Sequence, residues 1–204
     1  MRTSPGNLDA DTARAYNADV RASHESGALA SPASRFRGMR LTGVTLLSLS
    51  LICTVSALAS EVYFSPNGGV RQRLLRAIEG SKRSIDIAVY SFTVSELAEA
   101  LYSAKARGVR IRVVVDQQQA EAGGSGVRGL RLNGITVRSL GVPEQSLMHN
   151  KFAIFDERLV ATGSYNWTNS AEHANYENLV VLDEPEVVRR FEQEFRRLWR
   201  EARE

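Results

Sequence analysis

The stretch HNKFAIFDERLVATGSYNWT, residues 149–168, concentrates reactive and hydrogen-bonding side chains beside apolar, β-prone runs. Two apolar, β-prone runs occupy residues 152–155 and 159–162, and the polar residues 156–158 lie between them. This pattern predicts two antiparallel strands joined by a turn, although the turn lacks the Asn-Gly or Asp-Gly pair of the tightest hairpins. The stretch therefore predicts a rigid β-hairpin on which reactive groups are mounted.

Four polar side chains flank the two predicted strands. Side chains two residues apart in a strand project from the same face, so His149 and Lys151 share a face. The same spacing places Ser164 and Asn166 on one face after the return strand. If the strands pair, all four groups converge on one patch of the sheet.

The residue types in this patch are suited to phosphate-ester chemistry. A neutral imidazole such as that of His149 can attack phosphorus and form a covalent intermediate, which divides one difficult displacement into two easier steps. Lys151 offers three donors and a compact charge to the non-bridging phosphate oxygens. Asn166 adds an amide donor, and Ser164 a hydroxyl, for the same oxygens.

A catalytic imidazole also needs an acceptor that fixes its second ring nitrogen. Glu177, at the start of the next apolar run, is the candidate for this acceptor. Asp156 lies in the predicted turn, where its carboxylate is expected to tie down the hairpin or a lysine. An isolated histidine near an apolar strand is most often structural. The combined spacing H-x-K-x4-D, six residues, G-S-x-N rarely arises by accident, and it favours a functional site.

This spacing resembles the HKD motif of the phospholipase D superfamily, followed by the GSxN element of that family. The resemblance extends from about Glu61 to the C-terminal helix. It is strongest to the small single-motif bacterial endonucleases, which are similar to the animal mitochondrial nuclease of small-RNA maturation. It implies a phosphohistidine intermediate at His149, and catalysis without a metal ion or a cofactor. Glu177 stands where the family often places a glutamate that orients the histidine. The resemblance assigns catalysis to His149, Lys151, Asp156 and Glu177, and phosphate binding to Lys151, Ser164 and Asn166.

The mechanism needs an acid that protonates the leaving oxygen, and larger members of the superfamily carry two motifs in one chain. This chain carries one motif, and its three histidines are His24, His149 and His173. A two-fold homodimer would bring two copies of His149 across a shared cleft, because an isologous interface places a residue near its symmetry mate. His173 is the alternative acid, in a polar segment that is expected to form a loop or a short helical turn.

The N-terminal part of the chain differs in composition from the rest. Residues 1–38 lack periodic apolar positions and are interpreted as a disordered tail, or as a mis-assigned start before Met39. Residues 39–59 have a basic start, a short apolar run and an Ala-Leu-Ala cleavage signature, which predicts a signal peptide. Cleavage would leave residues 60–204 as one domain in the bacterial periplasm or outside the cell, without stable membrane association. An uncleaved anchor is the alternative.

The predicted mature domain carries little net charge. Residues 60–204 contain 20 Lys+Arg and 19 Asp+Glu, a net of +1, so a strong nucleic-acid footprint is not visible in the charge balance. Cys53, the single cysteine, falls within the predicted signal, which leaves the domain without disulfides or thiolate metal ligands. A group of central arginines could line a groove that follows the phosphates of a nucleic acid. The alternative is that these arginines are ordinary solvated charges on the surface. These arginines are Arg107, Arg110, Arg112, Arg128, Arg131 and Arg138.

Strand and helix patterns alternate along the domain, which predicts an α/β fold with a mixed β-sheet flanked by helices. Thr93 and Glu96 form a capping box for the second helix. Residues 117–126 are interpreted as a flexible loop, and the apolar stripe within residues 188–199 predicts a closing core helix. Strands ahead of the hairpin are predicted at 62–64, 84–92 and 109–116.

These observations predict an exported, dimeric, metal-independent phosphodiesterase that cleaves nucleic acid endonucleolytically. A phospholipase D that acts on phosphatidyl head groups is the alternative enzyme. A catalytically silent binding module is the alternative from another class, and the intact set of motif residues argues against it.

Overall fold

An eight-stranded mixed β-sheet forms the centre of the structure. The computed structural model describes residues 60–142 and 145–204, so the predicted tail (1–38) and signal peptide (39–59) lie outside the described residues. The strands are β1 (Ser60–Ser65), β2 (Ser84–Val89), β3 (Arg110–Asp116), β4 (Thr136–Val142), β5 (Ser146–Leu147), β6 (Lys151–Phe155), β7 (Leu159–Gly163) and β8 (Glu177–Leu182). The helices are α1 (Val70–Gly80), α2 (Ser95–Ala106), α3 (Gln117–Glu121), α4 (Val127–Leu132), α5 (Asn169–His173) and α6 (Pro185–Glu201).

The strand order β1-β8-β7-β6-β2-β3-β4-β5 confirms the predicted mixed sheet. Strands β2, β3 and β4 are parallel, and every other neighbouring pair is antiparallel. Consequently β2, β3 and β7 end at the same edge of the sheet at which β6 and β8 begin. We call this edge the carboxyl edge, because the parallel strands end there. It is the edge that carries the predicted catalytic residues.

Helices cover both faces of the sheet, and each face has its own apolar core. On one face, α1 and α2 pack over the buried apolar side chains that β2 and β3 direct toward them. The second core lies under α6, whose Val188, Phe195 and Leu198 are buried as the apolar stripe predicts. Within the described ranges, no helix combines the length and the apolarity needed to cross a membrane.

The predicted hairpin is confirmed, and its turn is formed by Asp156 and Glu157. Both residues have positive φ angles, 53° and 58°, and the Arg158 N–H donates to the Phe155 carbonyl at 3.0 Å. Two successive left-handed residues are typical of a type I′ turn, which usually contains glycine or asparagine. The strain of this conformation is offset by hydrogen bonds that the Asp156 carboxylate accepts from the chain beside the turn.

Two local predictions are wrong. Helix α2 begins at Ser95 without a side-chain cap, because Glu96 pairs with Arg71 of α1 at 2.7 Å instead of closing a capping box with Thr93. The first part of the predicted 117–126 loop is helix α3, which the Asp116 carboxylate caps by accepting the Gln119 N–H at 3.1 Å.

Candidate active site

His149 and Lys151 meet at the carboxyl edge of the sheet. Lys151 begins β6 and pairs with Val89, the last residue of β2. Its ammonium donates to the backbone carbonyl of His149 at 2.8 Å, and the imidazole itself is exposed. The ring of Tyr90 contacts both groups: its centroid lies 4.8 Å from that of the imidazole and 5.0 Å from Lys151 Nζ. A reactive imidazole and a fixed positive charge therefore lie side by side, as the sequence predicts.

The electrostatic environment of Lys151 is set by two opposing effects. Partial burial lowers the pKa of the ammonium, and the negative charge of Glu177 partly opposes this by raising it. Since Glu177 begins β8, at the same edge of the sheet, its carboxylate is close enough to act on Lys151. A lowered pKa makes the ammonium a stronger proton donor toward a phosphate oxygen.

Glu177 was expected to orient the imidazole of His149. Its carboxylate accepts a hydrogen bond from the Asn175 amide at 3.0 Å, and no bond joins it to His149 in the described part of the chain. The structure thus brings Glu177 to the site through its charge on Lys151. Its role as the partner of the imidazole stays a prediction.

Ser164 lies just after β7 and is locked to Asn178 of β8. The Ser164 N–H donates to Asn178 Oδ1 at 3.1 Å, and the Asn178 N–H donates to Ser164 Oγ at 3.1 Å. The hydroxyl is exposed and keeps its own proton for a further acceptor. Gly163 permits this close approach, since a Cβ there would overlap the Asn178 carbonyl oxygen.

Asn166 is held at the same edge by its neighbours in sequence. The Trp167 N–H donates to the Ser91 carbonyl at 3.2 Å, so this segment crosses the end of β2 beside Tyr90. Tyr165 and Trp167 are buried in the core, and the Tyr165 hydroxyl donates to Glu172 at 2.8 Å. Asn166 Oδ1 is buried with no hydrogen-bond partner in residues 60–142 and 145–204. The fold therefore leaves the oxygen of this amide without a partner.

Asp156 is not brought together with the other motif residues. It lies five residues beyond Lys151, about 16 Å away along an extended strand. Its carboxylate accepts the backbone N–H groups of Lys82, Arg83 and Ser84 at 2.9, 2.7 and 3.0 Å. Burial would raise the pKa of this carboxyl, but these three donors together with the charge of Arg83 hold it below its usual value. The geometry supports the expected anchoring of the turn and not a part in the chemistry.

Tyr90 is the site residue that sequence reasoning missed. The pattern of the predicted strand 84–92 does not distinguish it from its neighbours. Its position directly after Val89, at the carboxyl end of a central strand, is the available signal, because ligands of open α/β sheets bind at that end.

Most of the central arginines contact other residues of the same domain, and of the six only Arg131 also lines the cleft beside the site. Arg112 pairs with Asp86 at 2.6 Å and lies over Phe195, while Arg138 lies over Trp199, 4.5 Å from the ring centroid. Further internal contacts involve Arg107 with the end of α1, Arg110 with Glu157, and Arg131 with the Val137 carbonyl, whereas Arg128 is exposed.

A cleft of about 890 Å³ adjoins the site on the side of α6. Met148 and Asn150, which flank His149, line it together with the end of α6 and strands β4 and β5. Its charged lining is mixed and includes Arg131, Arg203 and Glu121. A substrate that reaches His149 has room to extend into this cleft.

Comparison with known proteins identifies the family. The family model described as cardiolipin synthase, PLD-like domain, matches residues 74–199. The solved structure of the phospholipase D family member Nuc from Salmonella typhimurium superposes with a TM-score of 0.66 and 33% identity, covering 72% of this chain and 97% of that one. The structure of NucT from Helicobacter pylori has the same fold, with a TM-score of 0.67 and 24% identity over 71% of this chain and 98% of that one. The chain belongs to the phospholipase D superfamily, a class of phosphodiesterases.

Curated relatives include the human mitochondrial cardiolipin hydrolase, which is 42% identical over 62% of this chain and 50% of its own length. The chain thus spans about half the length of that relative. The match to Nuc, by contrast, covers nearly the whole of Nuc.

Proposed function

We propose that this protein is a metal-independent phosphodiesterase that cleaves nucleic acid endonucleolytically through a phosphohistidine at His149. The observation that carries the proposal is the arrangement at the carboxyl edge. An exposed imidazole lies beside the ammonium of Lys151, and the backbone beside Asn166 is bonded to the end of β2, which places this side chain at the same edge. These groups supply a nucleophile, a charge and a neutral hydrogen-bonding group for one phosphate.

The proposed reaction has two displacements. A ring nitrogen of His149 attacks phosphorus, the bond from phosphorus to the leaving oxygen breaks, and an acid protonates that oxygen. Water then attacks the phosphohistidine, loses its proton to the same acid in its basic form, and releases His149. In both steps the Lys151 ammonium balances the charge that develops on the non-bridging oxygens, and the Asn166 NH2 group donates a hydrogen bond to them.

The acid of this mechanism is proposed to be His149 of a second copy of the chain. In the described residues His149 makes no contact with His173, which lies at the end of the short helix α5. A two-fold dimer would supply a second imidazole opposite the first. Dimers mixed from wild-type and His149→Ala subunits are then expected to be inactive, since each shared site would hold one imidazole.

Two substrate classes compete for this site. Nucleic acid is supported by the resemblance of the motif to that of the small single-motif bacterial endonucleases. The match to Nuc, which covers 97% of that chain and 72% of this one, agrees with it. The second candidate is a phospholipid diester such as cardiolipin, which is favoured by the 42% identity with the human cardiolipin hydrolase. Both substrates contain a phosphodiester, so the chemistry at His149 would be the same.

The discriminating experiment offers both substrates in excess EDTA. The full chain is incubated with labelled plasmid, single-stranded DNA and RNA, and separately with cardiolipin vesicles. We expect EDTA-resistant cutting of nucleic acid that is lost in His149→Ala and retained in the matched control His173→Ala. Cleavage of cardiolipin alone would transfer the assignment to the lipid. Loss of cutting in His173→Ala would make His173 the acid and remove the need for a shared site.

We further propose export to the periplasm or the medium through residues 39–59. N-terminal sequencing of the protein recovered from fractionated cells tests this. A mature chain that begins near Ser60 is the expected result, and recovery from the cytoplasm with an intact N-terminus would contradict it.

A further inference from the structure

We propose that Asp116, Gln119 and Tyr90 form a brace that positions His149 and Lys151 for catalysis. This inference rests on the proposed phosphodiesterase function, but it adds three residues that the motif does not contain. All three lie at the carboxyl edge: Tyr90 follows β2, Asp116 ends β3, and Gln119 belongs to α3.

The first arm of the brace is the carboxylate of Asp116, which is 1% exposed. Asp116 Oδ1 accepts the Gln119 N–H at 3.1 Å and thereby caps α3. Asp116 Oδ2 accepts the N–H of Met148 at 3.1 Å. Met148 directly precedes His149, so a single buried carboxylate fixes both the start of α3 and the backbone that leads into the catalytic histidine.

The second arm is the Tyr90 side chain. The Gln119 side-chain amide donates to the Tyr90 hydroxyl at 3.2 Å. With its hydroxyl held, the ring lies edge-on to the imidazole of His149 and under the ammonium of Lys151, at 4.8 and 5.0 Å. The second arm thus restrains the two catalytic side chains, whereas the first restrains their backbone.

Helix capping alone does not account for this arrangement. A cap requires one carboxylate oxygen, but Asp116 uses its second oxygen on the residue before His149. The Tyr90 hydroxyl likewise contacts α3 rather than the core, and its ring faces the reactive pair. Misplacing a catalytic group by about 1 Å can reduce the rate by roughly 100-fold, so these restraints bear directly on turnover.

The test begins with Asp116→Asn in the full chain, beside the matched control Asp86→Asn. The asparagine side chain keeps the shape of the aspartate but has one acceptor oxygen, so one of the two N–H bonds is lost. Asp86 is also a buried carboxylate, and it pairs with Arg112, which lies four residues before Asp116 along β3, away from the carboxyl edge. Hydrolysis of bis(p-nitrophenyl) phosphate gives kcat and KM without commitment to a lipid or a nucleic acid. The imidazole C–H resonances of His149, assigned with the His149→Ala variant, report its position without any substrate.

We expect Asp116→Asn to lower kcat by roughly 10- to 100-fold with little change in KM, and to shift the His149 resonances. Asp86→Asn should leave both readouts near their wild-type values. Equal effects in the two variants, or an unmoved His149 resonance in Asp116→Asn, would overturn the brace. If the wild type hydrolyses no phosphodiester but the resonance moves only in Asp116→Asn, the proposed function fails and the positioning stands.

Milder variants keep the test decisive if Asp116→Asn does not fold. Tyr90→Phe and Gln119→Leu remove the two ends of one hydrogen bond. If that bond positions the ring, each variant lowers kcat by a similar factor, about 2- to 5-fold, and the double variant is no worse than either one. Additive losses, or no loss in either variant, would overturn the second arm.

Discussion

Replacing Asp156 by asparagine should weaken the fold and leave the chemistry intact. Asparagine has the same shape and tolerates the left-handed backbone that this turn position requires, with φ of 53°. In the wild type, Oδ1 accepts the N–H groups of Lys82, Arg83 and Ser84 at 3.1, 2.7 and 3.0 Å, and Oδ2 accepts that of Lys82 at 2.9 Å. The amide oxygen of asparagine can keep the bonds to Arg83 and Ser84, but as bonds to a neutral acceptor.

The magnitude follows from these bonds. A hydrogen bond to a charged group contributes about 1 kcal/mol more than one to a neutral group, and two bonds lose that advantage. The Lys82 N–H is exposed and can bind water instead. The free energy of unfolding is therefore expected to fall by about 2 kcal/mol at pH 7. For a domain of this size that corresponds to a drop in Tm of about 6 °C.

The pH dependence gives a second signature of the same interaction. The pKa of Asp156 is lower in the folded protein than its ordinary value, because the three N–H donors and Arg83 outweigh burial. A lowered folded-state pKa stabilises the protein above the unfolded pKa of about 3.9, and the effect disappears as the pH falls through the folded value. The stability difference between wild type and Asp156→Asn should therefore be full at pH 7 and vanish in acid.

Urea unfolding and phosphodiester hydrolysis, measured on the same samples, provide the assay. The matched control is Glu157→Gln, the other turn residue, whose pair with Arg110 is exposed and 3.5 Å long. It should change the free energy of unfolding by less than about 0.5 kcal/mol. A fall in kcat of about 100-fold in Asp156→Asn with an unchanged urea midpoint would refute the structural assignment and return Asp156 to the catalytic set.

Three further predictions concern the carboxyl edge. Glu177→Gln removes the charge that raises the pKa of Lys151, so the alkaline limb of the kcat/KM profile should move to lower pH; an unmoved limb would contradict the coupling. Gly163→Ala should cost about 3 kcal/mol in urea unfolding, because the added Cβ overlaps the Asn178 carbonyl oxygen, and an unchanged midpoint would show that β7 and β8 can separate freely. Asn166→Ala should lower kcat by roughly 100-fold with a wild-type Tm, whereas a loss of stability without a loss of rate would make its amide structural.

The motif residues could be placed from sequence because the alternation of a strand determines which side chains share a face. His149 and Lys151 meet for this reason, and the apolar runs of 152–155 and 159–162 specify the hairpin that carries them. The glycine of the GSxN element has a steric explanation. Gly163 lies where β7 approaches β8 too closely for a side chain.

The surroundings of the motif could not be predicted in this way. Tyr90 and Asp116 reach His149 through pairings between strands that are distant in sequence, and local periodicity carries no information about such pairings. Local spacing predicts that Glu96 closes a capping box with Thr93. In the folded chain Arg71 of a different helix binds it instead.

Direct detection of the covalent intermediate is the most stringent test of the account. The full chain is mixed with a short oligonucleotide in EDTA, quenched in alkali within a single turnover, and analysed by intact and peptide mass spectrometry. A nucleotidyl adduct on the peptide that contains His149, absent in His149→Ala, is the predicted result. Turnover of the substrate with no adduct at any time, or an adduct on another residue, would contradict nucleophilic catalysis by His149.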